Sequence, residues 1–165
     1  MMNIRQVIRG ARLAAVLVAA LAISACAKNE AENAQGNAAT AMAVPGSQQD
    51  FLVNVGDRVW FETDSSELSA KSRETLDKQA QWLQHYNRYT FTIEGHADER
   101  GTREYNLALG ARRAATVRDY LISRGIAANR MRTISYGKER PVATCDDISC
   151  WAQNRRAVTV LDASS

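Results

Sequence analysis

The chain has 165 residues, of which 45% are hydrophobic and 24% are charged, and its formal net charge is +3. This length suits one domain with appendages, and the composition excludes collagen, coiled-coil rods and disulfide-dense miniproteins. Three of the 21 basic residues lie within the first 25 positions, which contain no acid, so the remaining 18 basic residues match the 18 acidic ones. The positive charge therefore belongs to the N-terminal segment and does not indicate nucleic-acid binding.

Residues 1–25 have the features of a bacterial secretory signal peptide. Arginines precede an apolar run over residues 13–23, which would span about 16 Å as a helix, well short of a bilayer core of about 30 Å. The run ends in Leu-Ala-Ile-Ser-Ala-Cys, which resembles a lipobox and predicts cleavage after Ala25, with N-acylation and S-diacylglycerol modification of Cys26. The alternative is an ordinary signal peptide with an incidental cysteine. Ala27, rather than aspartate, follows the cysteine and predicts lipid anchoring in the outer membrane, facing the periplasm.

Residues 26–50 are predicted to form a flexible tether behind the lipid anchor. They are rich in Ala, Asn, Gln, Gly and Ser, and such a stretch buries too little apolar surface to offset the entropy of ordering. The folded domain is expected over residues 51–165, a length sufficient for a single hydrophobic core. Its first two β-prone stretches, 51–55 and 58–61, are predicted strands that could pair as a hairpin around Gly56 and Asp57.

Two helices and three further strands are predicted along the domain. Ser69 can cap a helix that runs to about Tyr86, with apolar residues at helical spacing: Leu76, Ala80 and Leu83. A second helix, 103–124, stops at Gly125 and carries an apolar stripe: Leu107, Ala111, Ala114, Val117 and Leu121. The remaining predicted strands are 90–94, 132–136 and 156–161. The order β-α-β-α-β-β predicts an α/β chain of the α+β two-layer type, with helices packed on one face of a mixed sheet.

The turn after the middle strand carries most of the chemistry. Residues 94–106 read Glu-Gly-His-Ala-Asp-Glu-Arg-Gly-Thr-Arg-Glu-Tyr-Asn, a charged turn between a strand and a helix start, where α/β proteins commonly bind ligands. Asn106 and Arg113 are seven residues apart and lie within about 20° of each other on a helix. Asp98, Asn106 and Arg113 are therefore predicted to converge on one cleft. Such a set suits a zwitterion, with Asp98 binding an ammonium and Arg113 a carboxylate.

Two cysteines, Cys145 and Cys150, remain once Cys26 is assigned to lipid. An even pair in an exported protein suggests a disulfide. The alternative, a metal site or a redox pair, is weaker because the spacing is not Cys-x-x-Cys and only two histidines, His85 and His96, are present.

Four motifs resemble the OmpA-like peptidoglycan-binding domain family, and the resemblance covers nearly all of residues 58–161. The motifs are Gly-His-Ala-Asp-Glu-Arg-Gly at 95–101, Tyr-Asn-x-x-Leu at 105–109, Arg-Arg-Ala at 112–114 and Asn-Arg-Arg at 154–156. The resemblance implies that Asp98 and Arg113 bind the meso-diaminopimelate of peptidoglycan. It also places Asn106, on the helix, and Asp64, which closes Phe-Glu-Thr-Asp, in the same site. It implies no catalytic residue, no metal and no cofactor.

A narrower resemblance, to the lipid-anchored members of that family, rests on Asp-Glu-Arg-Gly at 98–101, Ser-Tyr-Gly-Lys-Glu-Arg-Pro at 135–141 and the lipobox. It implies a noncovalent tie between outer membrane and cell wall, and a TolB-like periplasmic partner. It further implies a role in envelope integrity and in outer-membrane constriction during division.

Several alternatives stay open at the level of sequence. The chain could be a periplasmic wall hydrolase with His96, Asp98 and Glu99 around a metal, although three such residues in one turn are hard to aim at one ion. Asp98 could merely cap the second helix, and Arg155 and Arg156 could be a structural pair that binds carboxylates or carbonyls. His96 is otherwise a predicted hydrogen-bonded turn residue. Three tryptophans are predicted to be packing residues rather than a sugar platform: Trp60, Trp82 and Trp151.

Overall fold

The computed structural model describes residues 43–162. In chain order it contains a short helical segment Gln48–Asp50 that continues as a π-helix Phe51–Val55, then β1 Arg58–Trp60, α1 Ala70–His85, β2 Phe91–His96, α2 Arg103–Ser123, a 3-10 turn Ala128–Arg130, β3 Met131–Gly137, α3 Ile148–Asn154 and β4 Arg156–Leu161. The predicted signal peptide, Cys26 and most of the predicted tether lie outside these residues. Among residues 43–162, no helix is both long and apolar enough to cross a membrane.

The four strands form one mixed sheet in the order β1-β4-β2-β3. Strand β4 pairs antiparallel with β1 on one side and with β2 on the other, whereas β2 and β3 are parallel. The parallel pair is joined by α2, as a crossover between parallel strands requires. The carboxyl end of β2 and the amino end of β4 therefore meet in the middle of the sheet, where Gly95 lies opposite Ala157.

Both long helices pack on one face of this sheet, which confirms the predicted two-layer arrangement. Side chains alternate along β2, where Phe91 and Ile93 are buried and Thr92 and Glu94 are partly exposed. One hydrophobic cluster joins the inward residues of β2 to those of the helices: Leu76 and Leu83 from α1, Val117 and Leu121 from α2.

The helix ends follow the predicted local signals. The Ser69 hydroxyl accepts a hydrogen bond from the Ser72 N–H at 3.1 Å, so Ser69 caps α1. Thr102, which was not among the predicted caps, caps α2 in the same way through the Tyr105 N–H. Gly125 follows α2 with φ of 88°, a left-handed conformation that glycine adopts at little cost after a helix.

The prediction of a strand over 51–55 is wrong, because this stretch is a π-helix. The Asp50 carboxylate accepts hydrogen bonds from the Gly46 N–H and the Trp82 indole, both at 2.8 Å, so the chain already enters residue 51 in a helical conformation. Phe51 is buried against Trp82, and the Gly56 N–H closes the turn on the Phe51 carbonyl. Residues 46–50, which composition assigned to the tether, thus contact the domain.

The predicted apolar stripe of α2 is wrong at its N-terminal end. Leu107 is 45% exposed and Ala111 is also exposed, whereas Asn106, Leu109 and Arg113 are buried. The buried face is turned toward Asn106 and Arg113 because these polar side chains find hydrogen-bond partners inside the domain. A stripe assigned from hydrophobicity alone leaves such residues out.

The segment before β4 forms a short helix, α3, that periodicity did not predict. Asp147 caps it through the Ser149 N–H, and a disulfide joins Cys145 to Cys150. The predicted disulfide is therefore confirmed. Within residues 43–162 the only cluster of three possible metal ligands is Cys145, Asp147 and Cys150, and the bridge occupies both of its cysteines.

Removing this bridge is expected to lower the free energy of unfolding by about 2 kcal/mol, because a short covalent loop restricts the unfolded chain. Urea denaturation measures this loss by comparing the oxidised protein with a double variant, Cys145→Ser and Cys150→Ser. A double variant as stable as the oxidised protein would show that α3 and its cap hold this segment without the bridge.

Candidate functional site

The loop that follows β2 is positioned by close contact between β2 and α2. Glycines meet at this point: a Cβ added to Gly95 would lie 1.8 Å from the Gly110 carbonyl oxygen, so larger side chains would force strand and helix apart. The Ala97 N–H then donates to the Gly137 carbonyl at 2.8 Å, which ties the start of the loop to the end of β3. Because Thr102 caps α2, the alternative that Asp98 merely caps this helix is wrong.

The Asp98 carboxylate is largely buried, and two arginines neutralise it. Arg100 donates to both carboxylate oxygens through its side chain, at 3.1 and 2.7 Å, and to one of them through its backbone N–H at 3.2 Å. Arg155 lies 3.4 Å away on the other side, and its Nε donates to the Phe61 carbonyl. Burial alone would raise the pKa of Asp98, but the hydrogen bonds from Arg100 and Arg155 outweigh it and lower that pKa. Asp98 is thus an anion at neutral pH.

The Arg113 guanidinium is fully buried beneath the same loop. Its three nitrogens donate to three backbone carbonyls, those of Ser65 at 2.8 Å, His96 at 2.8 Å and Glu62 at 3.2 Å. Burial, partly offset by the charge of Asp98, lowers the pKa of Arg113 to about 10, so it remains a cation at neutral pH. Arg113 therefore joins the 62–65 loop, the end of β2 and α2 at a single point.

A cleft of about 240 Å³ opens beside these residues. Asp64, Asp98 and Asn106 line it together with Arg100 and Tyr105. The Asn106 amide donates to the Arg100 carbonyl at 2.7 Å, and the Tyr105 hydroxyl donates to the Asp64 carboxylate. Asp64 adopts φ of 57°, a left-handed conformation that is uncommon outside glycine and is often found at functional positions.

Three of the four residues predicted to bind ligand thus meet at the cleft, and the fourth does not line it. Asp64, Asp98 and Asn106 face the cavity, whereas Arg113 lies behind the loop that forms the cavity wall. A larger groove of about 440 Å³ runs along β1 and α1, but none of these four residues lines it.

Sequence reasoning missed the part that Arg100 plays at Asp98. The available signal was that a basic residue follows an acidic one by two positions in a turn. This spacing allows the two to pair, but it does not show that they do. The interpretation of Arg155 and Arg156 as a structural pair is confirmed, since Arg155 contacts Asp98 and Phe61 and Arg156 donates to the Asn154 and Arg140 carbonyls. Nothing in the sequence indicated that Arg155 lies beside Asp98, which is 57 residues away along the chain.

Helix α3 contributes an aromatic wall next to Arg100. The Arg100 guanidinium stacks over the Trp151 ring at 4.2 Å from its centroid. The Trp151 indole N–H donates to the Glu99 carboxylate at 2.9 Å, which fixes the ring beside the loop. Trp151 and Trp82 are packing residues as predicted, whereas Trp60 is 46% exposed on β1.

The ring of His96 does not form the predicted hydrogen bonds. It is 2% exposed, its ring lies 5.6 Å from that of Tyr136, and among residues 43–162 neither ring nitrogen has a hydrogen-bond partner. Burial, with the nearby charges of Arg156, Arg140 and Arg58, lowers the pKa of His96 to about 4. The ring is therefore neutral at pH 7, and its 3.5 Å contact with Glu94 is not an ion pair there.

The trio proposed for a hydrolase is also dispersed. His96 packs on Tyr136, Asp98 binds two arginines and Glu99 accepts from Trp151, so their side chains serve separate partners. This arrangement does not support a shared metal or a general acid–base pair.

Stability should depend on pH through His96. The unfolded chain takes up a proton near pH 6.5 while the folded protein resists protonation down to about pH 4. The stabilisation is thus fully present above 6.5 and is lost, by an amount on the order of 3 kcal/mol, as the pH falls through this window. Urea denaturation at pH 7.5 and 4.5 measures it. His96→Phe should be less sensitive to this change by about that amount, and an equal sensitivity in both proteins would contradict the assignment.

Comparison with known proteins agrees with this architecture. The sequence model of the OmpA family matches residues 60–155. A peptidoglycan-associated lipoprotein of Rhizobium meliloti is 68% identical over 148 residues, which cover 88% of this chain and 84% of the relative. A protein of the same name from Pseudomonas aeruginosa is 46% identical over 122 residues, covering 73% of this chain and 72% of the relative.

Solved structures show the same fold. The peptidoglycan-associated lipoprotein from Burkholderia pseudomallei superposes with a TM-score of 0.63 at 42% identity, over 64% of this chain and 90% of that one. The C-terminal domain of Helicobacter pylori MotB reaches 0.61 at 24% identity, over 65% and 84% of the two chains, and shows the fold alone. On the match to its sequence model and on these relatives, the chain belongs to the OmpA family.

Proposed function

We propose that this protein is an outer-membrane lipoprotein that binds peptidoglycan without catalysis and thereby ties the outer membrane to the cell wall. The observation that carries the proposal is the cleft in which Asp64, Asp98 and Asn106 meet above a buried arginine. The relatives named as peptidoglycan-associated lipoproteins support peptidoglycan as the ligand. The side chains of His96, Asp98 and Glu99 contact separate partners, which favours binding over hydrolysis.

The chemistry of the cleft suits the uncrosslinked diaminopimelate of a peptide stem, which carries both an ammonium and a carboxylate at its free end. Asp98 is the ionised, partly desolvated acceptor for the ammonium. Arg113 supplies positive charge for the carboxylate from behind the cavity wall, where its guanidinium donates to the Ser65, His96 and Glu62 carbonyls. Asn106 and Asp64 complete the polar rim that orients the ligand.

The proposed anchor compensates for modest affinity at a single site. Partly exposed ion pairs contribute only about 0–1 kcal/mol each, so one stem would be held weakly. Acyl chains on Cys26 would confine the domain beside the wall, because each buried methylene adds about 0.8 kcal/mol to membrane binding. Confinement raises the effective concentration of the domain at its ligand.

The family resemblance also supports a finer proposal for the cellular role. We propose that a TolB-like periplasmic protein is a partner, within a Tol–Pal system that maintains the envelope and constricts the outer membrane during division. The exposed rim of the 97–102 loop, including Arg100, is accessible to such a partner.

The test of wall binding is sedimentation of the full chain, kept in detergent, with purified wall that contains diaminopimelate. The protein is expected to pellet with intact wall and to release no soluble muropeptides. Protein that stays in solution would refute wall binding, and release of muropeptides would instead support the hydrolase alternative. Wall in which lysine replaces diaminopimelate is the matched control, and it should pellet less protein.

A further inference from the structure

In the free protein, the ammonium position of the proposed site is already filled by a side chain of the same loop. The Arg100 guanidinium donates to both oxygens of Asp98, at 3.1 and 2.7 Å. A ligand amine cannot reach the carboxylate in the same geometry while this pair is intact. Binding of an amine to Asp98 is therefore an exchange of one cation for another.

Of the two arginines on Asp98, only Arg100 is free to leave. Arg155 has a side chain that is 6% exposed and is also held by the Phe61 carbonyl. The Arg100 side chain is 41% exposed and is otherwise held by stacking on Trp151. Because the Arg100 partner of this pair is exposed, the pair costs less to break than the buried contact with Arg155, and a new pair between Asp98 and a ligand offsets its loss.

We propose that Arg100 is an internal competitor for the ammonium position on Asp98: its guanidinium must leave the carboxylate before a ligand amine binds there, so it lowers the affinity of the site for that amine. This inference rests on the proposed function. A charged amine leaves the carboxylate neutralised after the exchange. An amide nitrogen, as in a crosslinked stem, carries no charge and would leave a largely buried carboxylate short of a partner, which is unfavourable. The charge of Asp98 thus makes the site selective for stems whose amine is free, and Arg100 sets how tightly those stems are held.

Trp151 and Glu99 hold Arg100 ready for this exchange. The indole N–H donates to Glu99 at 2.9 Å and the ring lies 4.2 Å from the guanidinium carbon. When the guanidinium leaves Asp98, the environment of the Trp151 ring must change. Trp151 is therefore a positioning residue, and its fluorescence reports the exchange separately from binding itself.

The test compares two synthetic stem tripeptides that end in meso-diaminopimelate, one with the distal amine free and one with that amine acetylated. Calorimetry gives their dissociation constants for the full chain in detergent, for Arg100→Ala and for Arg103→Ala. Arg103 is a matched control because it is exposed and pairs with Glu139, away from the cleft. The wild type and the control are expected to prefer the free amine by about tenfold or more, and Arg100→Ala should bind the free-amine peptide about three- to fivefold more tightly than they do, because no guanidinium has to be displaced.

The outcomes separate this inference from the proposed function. An affinity for the free-amine peptide that is unchanged or lower in Arg100→Ala overturns the inference and leaves wall binding intact, as does loss of binding to both peptides in that variant alone. Absence of binding by the wild type overturns the proposed function as well. The fluorescence emission of Trp151 should change when the free-amine peptide binds. The Trp151→Phe variant is the control and should lack this change. Binding to the wild type without the change would also overturn the exchange.

Discussion

Replacing Arg113 with alanine is expected to lower the free energy of unfolding by about 3–5 kcal/mol. The guanidinium is fully buried, and its removal takes away the hydrogen bonds that it donates to the carbonyls of Ser65, His96 and Glu62. It also leaves a cavity beneath the 62–65 loop, which the surrounding backbone can fill only in part. Urea denaturation with a spectroscopic probe measures the loss.

Two variants give this prediction a control. Arg112→Ala removes an adjacent arginine that is exposed on the same helix and should change stability by no more than about 0.5 kcal/mol. Arg113→Lys keeps the charge, but a single ammonium cannot match the planar fork that reaches three carbonyls, so an intermediate loss is expected. A loss below about 1 kcal/mol for Arg113→Ala would show that the loop does not depend on this residue.

Because Arg113 has this structural part, a loss of wall binding in Arg113→Ala is interpretable only for protein shown to be folded. Asp98 is the better probe of the ligand site, since its carboxylate lines the cleft.

Substituting Asp98 with asparagine is expected to weaken wall binding at least about tenfold, because a neutral amide cannot pair with the ammonium of the ligand. Stability should fall by about 1–3 kcal/mol, since the buried Arg155 loses its charged partner. Sedimentation with diaminopimelate-type wall measures the first effect and urea denaturation the second. The matched control is Asp119→Asn, an exposed aspartate of α2 that pairs only with its neighbour Arg118. Wall binding that is equal in the two variants would place the ligand elsewhere on the domain.

The lowered pKa of Asp98 also predicts how wall binding depends on pH. This pKa lies below the ordinary value for aspartate because Arg100 and Arg155 favour the anion more than burial opposes it. Binding should therefore persist as the pH falls toward 4 and be lost only when Asp98 becomes protonated below its usual range. The contribution of Asp98 to stability follows the same sign, being present above the pKa of the unfolded chain and lost as the pH falls through the lower folded value.

Local signals predicted the elements whose structure is decided locally. The cap at Ser69 lies where a side chain completes the hydrogen bonds of a helix start, and the stop at Gly125 lies where the chain takes a left-handed conformation after a helix. The alternation along residues 90–94 likewise identified β2, because period-two burial is a property of any strand on a core. The strand prediction for residues 51–55 failed because a short apolar run fits a strand and a helix equally well. The choice depended on a hydrogen bond between Asp50 and Trp82, which are far apart in sequence.

For the site, sequence by itself determined which residues gather at one end of the sheet. Asp98 lies in the loop just after a strand, Asn106 and Arg113 share one side of a helix, and these relations follow from the geometry of regular elements. Only the tertiary structure decided what each group binds. Arg113 turned inward because three backbone carbonyls converge on it, and Asp98 acquired Arg155 because β4 inserts between β1 and β2. Such partners are set by strand order and loop packing across long stretches of chain, and no local pattern of residues carries that information.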